Sequence, residues 1–527
     1  MKKSSRLLLL SLILCFVVSA CSNPSTTSNA TNASSESSTN EASDTSETAG
    51  SKELDILKIG VAELPKHMDP SRDVGNASIR IQYNIFETLL LADQKDNFSL
   101  KPMLATEWKR IDDFTLEVTL RKGVKFHNGD EMTAKDVVFS FKRLHEDLQG
   151  LELAASLLSV VKEVQQVDDY KVRIITNAID PILEQRIASS WGSWIVPADY
   201  ITEVGNEAFA AKPIGTGPYK VVSYSPEKVV LERFDDYWGE KPAAKTIEYD
   251  YYPETSARMT ALVTGEVDMI TQLPLDQVPT VEANNDLSVK GLTLSNMHVL
   301  VYNTKSGPLA DKKLRQALSL SIDRQMLADT LWQGKAIVPK GHQFMEFGDN
   351  YIDDYPTAEY NLEKAKQLLA ESSYKGELIE YELKPNYYTF GSEAAEAIVD
   401  MWKQIGINAK VKFTEKVERQ SVSNWSNTMR FPDPSGGLWL LWGPDAKDST
   451  WPDMSQDYIQ TGTELSSILD PAKRKDLARK LMTIWDEEAP GTVLYYPYES
   501  WGVRKGLDWT PYSSQAMDFR ADNFKVQ

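Results

Sequence analysis

His145-Glu146 opens like a helical zinc-hydrolase motif, in which two imidazoles four residues apart hold the metal and the glutamate activates water. Gln149 stands where the second imidazole is needed, so the pair reads as a solvated helix face. Gly334-Lys335 lacks the earlier glycine and the following hydroxyl residue of a phosphate-cradling loop. In Gly215-Thr216-Gly217-Pro218 the proline has no N–H to offer a phosphate, which removes a dinucleotide-binding reading. No G-x-S-x-G nucleophile elbow occurs. The histidines His67, His127, His145, His298 and His342 are scattered without ligand spacing. The carboxylate pairs Asp112-Asp113 and Asp353-Asp354 read as surface charge. The expectation is a protein with no catalytic residue, no resident metal and no cofactor.

A chain of 527 residues exceeds one compact core, so two or more lobes are expected. A formal net charge of -19 argues against nucleic acid or an anionic membrane face as the main partner. Both cysteines, Cys15 and Cys21, lie near the N-terminus, so the rest of the chain has no disulfide framework and no cysteine-based metal site.

Lys2, Lys3 and Arg6 precede an apolar run over residues 7–18, followed by the small residues Ser19 and Ala20 and then Cys21. Basic, apolar, then small is the order of a secretory signal, here residues 1–20, and the run is too short for an ordinary spanning helix. Residues 22–51 are rich in Ser, Thr, Asn, Ala and Glu and cannot bury enough surface to fold. They form, with Cys21, a flexible tether over 21–53.

The elements that must position a site begin near Leu54. Residues 55–60 read as a strand, 79–91 as a helix (Ile79, Tyr83, Phe86, Leu90), and 114–120 as an alternating, half-buried strand. Thr133 caps a helix whose apolar face is Val137, Val138, Phe141 and Leu144, with Asp136 answering the cap. Residues 170–176 alternate as a second strand. Helices also read at 312–332, 361–371, 393–405 and 471–488. Interspersed strands and helices make the class mixed α/β, of α+β type.

Four segments resemble family 5 of the bacterial extracellular solute-binding proteins, which includes oligopeptide-, dipeptide-, nickel- and opine-binding proteins of ABC importers. The first is Leu100-Lys101-Pro102-Met103-Leu104-Ala105, continuing through Trp108 and Leu120-Arg121-Lys122-Gly123-Val124-Lys125-Phe126-His127-Asn128-Gly129 to Ala134-Lys135-Asp136-Val137. The second is Ile214-Gly215-Thr216-Gly217-Pro218-Tyr219, followed by Arg233, Tyr237, Trp238 and Gly239. The third is Gly265-Glu266-Val267-Asp268, and the fourth is Leu314-Arg315-Gln316-Ala317-Leu318, with Ile322-Asp323-Arg324 and Gly334 after it. Physically, Gly123 and Asn128-Gly129 suit tight turns, and Gly215 and Gly217 suit a sharp reversal at a lobe boundary.

The resemblance implies a three-lobed, type II periplasmic-binding-protein-like fold. Lobe I would combine 54–92, 212–297 and 498–527, lobe II would be the insertion 93–211, and lobe III would be 298–497. Two strands near 299–303 and 492–496 would form the hinge, and closure would bury a small solute between lobes I and III. The tetrad Val18-Ser19-Ala20-Cys21 resembles a bacterial lipobox, which implies acylation of Cys21 and anchorage to the outer face of the cell membrane. The implied partners are a peptide-like or opine-like solute and the membrane subunits of an ABC permease, with the protein itself a monomer. The competing readings are an extracellular hydrolase or peptidase, or a sensory receptor on the same fold.

Peptide binders of this family hold the α-amino group with an aspartate three residues before the acidic member of an Asp/Glu-Pro pair. Here the pair is Asp433-Pro434, and the count falls on Arg430. A buried guanidinium repels an ammonium and pairs with a carboxylate or phosphate. Arg430 therefore either faces the cleft and takes an anionic group, or pairs with Asp433 or Asp445 and never meets solute. Trp425, Trp439, Trp442 and Trp451 cluster around Gly436-Gly437 and Gly443-Pro444, a pattern that suits a cleft lining or local packing. Asn424 lies beside Trp425, and Tyr83 and Asn84 sit where the family's first lobe faces the cleft. The candidate solute-binding set is Tyr83, Asn84, Asn424, Trp425, Arg430, Asp433, Trp439 and Trp442.

Overall fold

Asn296–Tyr302 is buried at every position, the pattern of a strand covered on both faces. It is a central member of a five-stranded sheet ordered Ala409–Phe413, Ile379–Leu383, Val422–Thr428, Asn296–Tyr302, Gly491–Tyr495. The computed structural model describes residues 52–146, 152–385, 387–446 and 449–527. Cys21, the secretory signal and almost all of the tether lie outside the described residues. Residues 51–527 form one unit. Glu53, assigned to the tether by composition, already pairs with Arg233 at 2.8 Å.

A seven-stranded sheet runs Leu287–Thr293, Tyr498–Arg504, Met269–Ile270, Leu54–Val61, Ala244–Tyr251, Lys228–Arg233, Tyr219–Tyr224. Leu54–Val61 pairs in parallel with both of its neighbours, and the outer pairs are antiparallel. The chain leaves this sheet after Leu287–Thr293 to enter the five-stranded one, and returns from Gly491–Tyr495 into Tyr498–Arg504. The two crossings touch: Leu294 N–H donates to the Pro497 carbonyl at 2.9 Å. An antiparallel four-stranded sheet, Ala105–Asp112, Thr115–Leu120, Lys171–Thr176, Val161–Asp168, falls in sequence between Leu54–Val61 and Tyr219–Tyr224. In Thr115–Leu120 and Lys171–Thr176 every second residue is buried, as period-two alternation requires. The helix Ala134–Glu146 carries Val137, Phe141 and Leu144 into the same core. At its start the Asp136 carboxylate accepts from Thr133 N–H at 2.9 Å, the answering half of the expected cap, while Thr133 Oγ–H donates to the same carboxylate at 3.3 Å instead of accepting from the helix.

Two expectations need correction. The helix read over 79–91 is Asn76–Gln82, and the chain then turns into the strand Leu90–Asp93. The carbonyls of Asn84 and Ile85, which a longer helix would use internally, accept instead from Tyr219 N–H at 3.0 Å and Gly217 N–H at 2.9 Å. This close backbone approach explains the two glycines. A Cβ on Gly217 would lie 2.6 Å from the Asn84 carbonyl oxygen, and one on Gly215 would overlap that of Ile85. They permit this close contact. The helix read over 312–332 is two helices, Lys312–Leu320 and Arg324–Leu331, because the Asp323 side chain caps the second by accepting from Met326 N–H.

Candidate functional site

Past the end of Val422–Thr428, Met429 N–H donates to the Ser295 carbonyl at 3.0 Å. The next residue is Arg430. Its carbonyl accepts from Ser189 Oγ–H at 2.6 Å, and its guanidinium carbon lies 4.3 Å over the Trp191 ring. Arg430 is 9% exposed, and its Nε and Nη1 have no hydrogen-bond partner. Burial alone pushes its pKa down to about 10. Neither acidic partner considered from sequence is available to it. Asp433 is buried and bidentate to Arg474 at 2.7 Å, and it also accepts from Ser435 N–H and Oγ–H. Asp445 is exposed to solvent. Among the described residues no carboxylate forms an ion pair with Arg430.

Arg430 lines a small cavity of ≈ 30 Å³ with Tyr83, Trp191, Trp194, Phe431 and Arg520. No acidic side chain lines it. Arg520 is already matched, 3.1 Å from Asp518 and 3.5 Å from Glu87, and stacks over Tyr83. Tyr83 meets Trp194 and Tyr512 edge-on at 6.2 and 6.1 Å. Its hydroxyl is held above the ordinary range, first by burial and then by the charge of Asp518.

A larger cleft of ≈ 190 Å³ is lined by Arg80, Asn296, His298, Tyr388, Glu499 and Gln515, among others. Ser514 and Gln515 line one cavity each, so the two are neighbours. On one wall Arg80 makes a buried bidentate pair with Glu499 at 2.6 and 2.8 Å. His298 lies 4.8 Å from the Tyr388 ring and 5.3 Å from Tyr495. Burial holds its imidazole down to about 3, so it is neutral at physiological pH.

Of the sequence candidates, Tyr83 and Arg430 come together at the small cavity. Asn84 does not line it: its amide donates to the Met517 carbonyl at 2.7 Å and accepts from Phe519 N–H at 3.0 Å. Asp433 is spent on Arg474. Asn424, Trp425, Trp439 and Trp442 line neither cavity. The tryptophans belong to a core instead. Trp442 packs 5.9 Å from Trp425 and 5.2 Å from Trp485, while Trp439 lies 6.0 Å and Trp451 4.8 Å from Tyr458. The neighbouring glycines make room for indoles: a Cβ on Gly462 would overlap Trp439. Sequence reasoning missed Trp191, Asn296, His298 and Gln515. A signal was present for two of them, since Asn296 and His298 are polar residues two apart on one face of an otherwise apolar buried strand.

Two neighbouring cavities, lined by aromatic rings and a few polar groups, suit the binding of a small solute. Residues 99–453 match the family model for bacterial extracellular solute-binding proteins, family 5 (Middle), and the chain belongs to that family. Its members are non-enzymatic components of solute transport. Among relatives, the oligopeptide-binding protein AppA of Bacillus subtilis (strain 168) is 29% identical over 500 residues, 86% of this chain and 89% of that protein. The fold superposes on the ABC transporter-associated periplasmic binding protein DppA from Helicobacter pylori, in complex with peptide STSA, with a TM-score of 0.80 and 22% identity over 90% of this chain and 98% of that one. It also superposes on AgaA from A. tumefaciens R10, in complex with agropinic acid, with a TM-score of 0.77 and 21% identity over 90% and 99% of the chains.

Proposed function

We propose that this chain is the extracellular, lipid-anchored substrate-binding component of an ABC importer, and that its solute carries a carboxylate that Arg430 receives. Acylation of Cys21 would hold it on the membrane, and the tether would let the body reach the permease. No helix among the described residues is long and apolar enough to cross a membrane. The three-lobe division (54–92 with 212–297 and 498–527; 93–211; 298–497) and the hinge at 299–303 and 492–496 are part of this proposal. The paired crossings between the two large sheets support them. An open monomer would take up solute, close about the crossings, and dock on the permease.

The observation that carries the choice of solute is a buried guanidinium with no carboxylate of its own. A peptide's α-ammonium at this point would face an uncompensated like charge in a poorly solvated space. A carboxylate would complete a charge-assisted, bidentate-capable pair. An acidic solute of opine or sugar-acid type fits better than a free-amine peptide. Titration calorimetry with agropinic acid and gluconate as probes tests this. Arg430→Asp is expected to weaken any acid that binds the wild type by a hundredfold or more; unchanged affinity would sink the assignment.

A further inference from the structure

The cleft beside Arg430 contains polar atoms that the chain itself leaves unused. Asn296 Oδ1, Gln515 Oε1 and His298 Nδ1 have no hydrogen-bond partner, and their residues are 3%, 8% and 3% exposed. Two of these atoms are neutral amide oxygens, and the third belongs to an uncharged ring. The cleft's acids are placed differently. Glu499 is spent on Arg80, while Glu63 is half-buried and Glu254 is exposed. The buried unpartnered acceptors among the cleft's lining residues are therefore neutral, and its free carboxylates stand toward solvent. Burying an ammonium against neutral oxygens costs far more than burying a hydroxyl, because a charge needs a counter-charge and a hydroxyl only an acceptor. The rings of Tyr387, Tyr388 and Trp332 line the same cleft and suit the C–H faces of a hydroxylated chain.

Size narrows the solute further. With about 10–15 Å³ for each water-sized atom, the ≈ 30 Å³ cavity at Arg430 admits a carboxylate and little more. By the same measure the ≈ 190 Å³ cleft holds on the order of a dozen heavy atoms. Asn296 pairs across the sheet with Thr428, and Arg430 lies two residues further along the chain. An extended chain advances about 3.3 Å per residue, so the two recognition points are separated by about 7 Å of backbone plus a strand spacing. A six-carbon chain reaches across such an interval.

We infer that the solute is a compact hydroxylated acid, its carboxylate on Arg430 and its hydroxyls donating to Asn296 Oδ1, Gln515 Oε1 and the His298 imidazole. This rests on the Arg430 reading above and adds the chemistry of the other end. Asn296 and Gln515 are then specificity-determining residues, whose unpartnered oxygens accept from the solute's hydroxyls.

Gluconate and hexanoate are suitable probes: both are six-carbon monocarboxylates, and they differ by the hydroxyls. Calorimetric titration of the protein is expected to show gluconate bound at least tenfold more tightly. Asn296→Leu should reduce that ratio fivefold or more by weakening gluconate alone. Gln515→Gly is the second variant, since a φ of 69° suits glycine and the backbone has no reason to move. It should act in the same direction. Arg430→Gln should weaken both probes together. Equal binding of the two acids, a ratio that both variants leave intact, or no binding of gluconate overturns the hydroxyl assignment. Glycyl-leucine binding more tightly than gluconate overturns it as well, by placing an ammonium in the cleft. Dependence on Arg430 without any hydroxyl preference removes only this inference; affinities indifferent to Arg430→Gln remove the reading it rests on.

Discussion

A guanidinium that gives up water costs several kcal/mol unless an opposite charge or a full set of acceptors meets it. Other buried arginines meet such partners, although Arg258, held by the Tyr252 and Pro253 carbonyls, leaves its Nε without one. Arg474 has Asp433, Arg143 has Asp69, and Arg80 has Glu499. Arg315 and Arg324 lie among backbone carbonyls, those of Leu309, Glu488 and Ala489 for the first and Ile322 and Val493 for the second. Arg430 has only the Trp191 face, worth about 0.5–2 kcal/mol as a cation–π contact. Such a residue is destabilising in the empty protein and becomes favourable when an anion arrives. Arg430→Met keeps most of the volume and removes the charge. Ligand-free Arg430→Met should melt higher than wild type, by the equivalent of about 1–3 kcal/mol, while losing affinity for acids. A lower melting temperature with binding retained would contradict this. The position of Arg430 was legible from the count back from Asp433-Pro434. Its isolation was not, because the acid that sequence offered as a partner is held by Arg474, a residue 41 positions away.

At the scale of elements, the segment Asn84–Ile85 shows where periodicity fails. Its apolar spacing continues the helix pattern, yet its carbonyls serve Gly217 and Tyr219, more than a hundred residues away. Only the glycines at 215 and 217 record this in sequence, and they fit a reversal as well as a close approach. Gly217→Ala should therefore cost about 2–4 kcal/mol, read as a fall in melting temperature, since its Cβ would meet fixed backbone rather than a movable side chain. Gly123→Ala tests a different cause. No atom lies within 4 Å of a Cβ there, so any loss comes from a φ of 74° alone and should be smaller, about 1 kcal/mol. Equal losses at both sites would refute the distinction. Elements whose signals are local, such as the Thr133–Asp136 cap and the alternating strands Thr115–Leu120 and Lys171–Thr176, were legible as they stand. The tryptophans of 425–451 were ambiguous for the opposite reason: composition places them together but does not say whether they face a cavity or one another.

For the whole molecule, the mixed α/β class and the family pattern were readable from motif order along the chain, because those motifs are scaffold residues. The specific solute was not, because the specificity proposed here rests on atoms left without partners, which only three dimensions reveal. The cores also set a pH dependence. His298 and His342 are buried and His127 is half-buried, and loss of water lowers their pKa from 6.5 to about 3, 4 and 4. Below pH 6.5 the unfolded chain takes up protons that the folded one refuses, so stability falls as pH falls toward 4. Each histidine contributes about 2 kcal/mol of loss by pH 5. Asp486, raised by burial to about 6, opposes this, because the folded state holds its proton between pH 6 and 3.8 and gains stability there. Asp136, Glu346 and Glu499, also raised by burial, act in the same sense as Asp486; the three imidazoles carry the larger shifts, so the melting temperature should drop between pH 7 and pH 5. A flat profile would argue that one or more of these imidazoles is hydrated.

On the reading proposed here, Arg430 makes this protein a receptor for acids rather than for free-amine peptides. Thermal shift of the protein against two pools tests it most directly, one of mixed oligopeptides and one of opines and acidic sugar derivatives. A solute at a hundred times its dissociation constant stabilises by about 2.7 kcal/mol, a readily measured rise. A shift with the acidic pool and none with the peptides is the result predicted here. A shift with the peptides alone would contradict it and make the protein an ordinary peptide receptor.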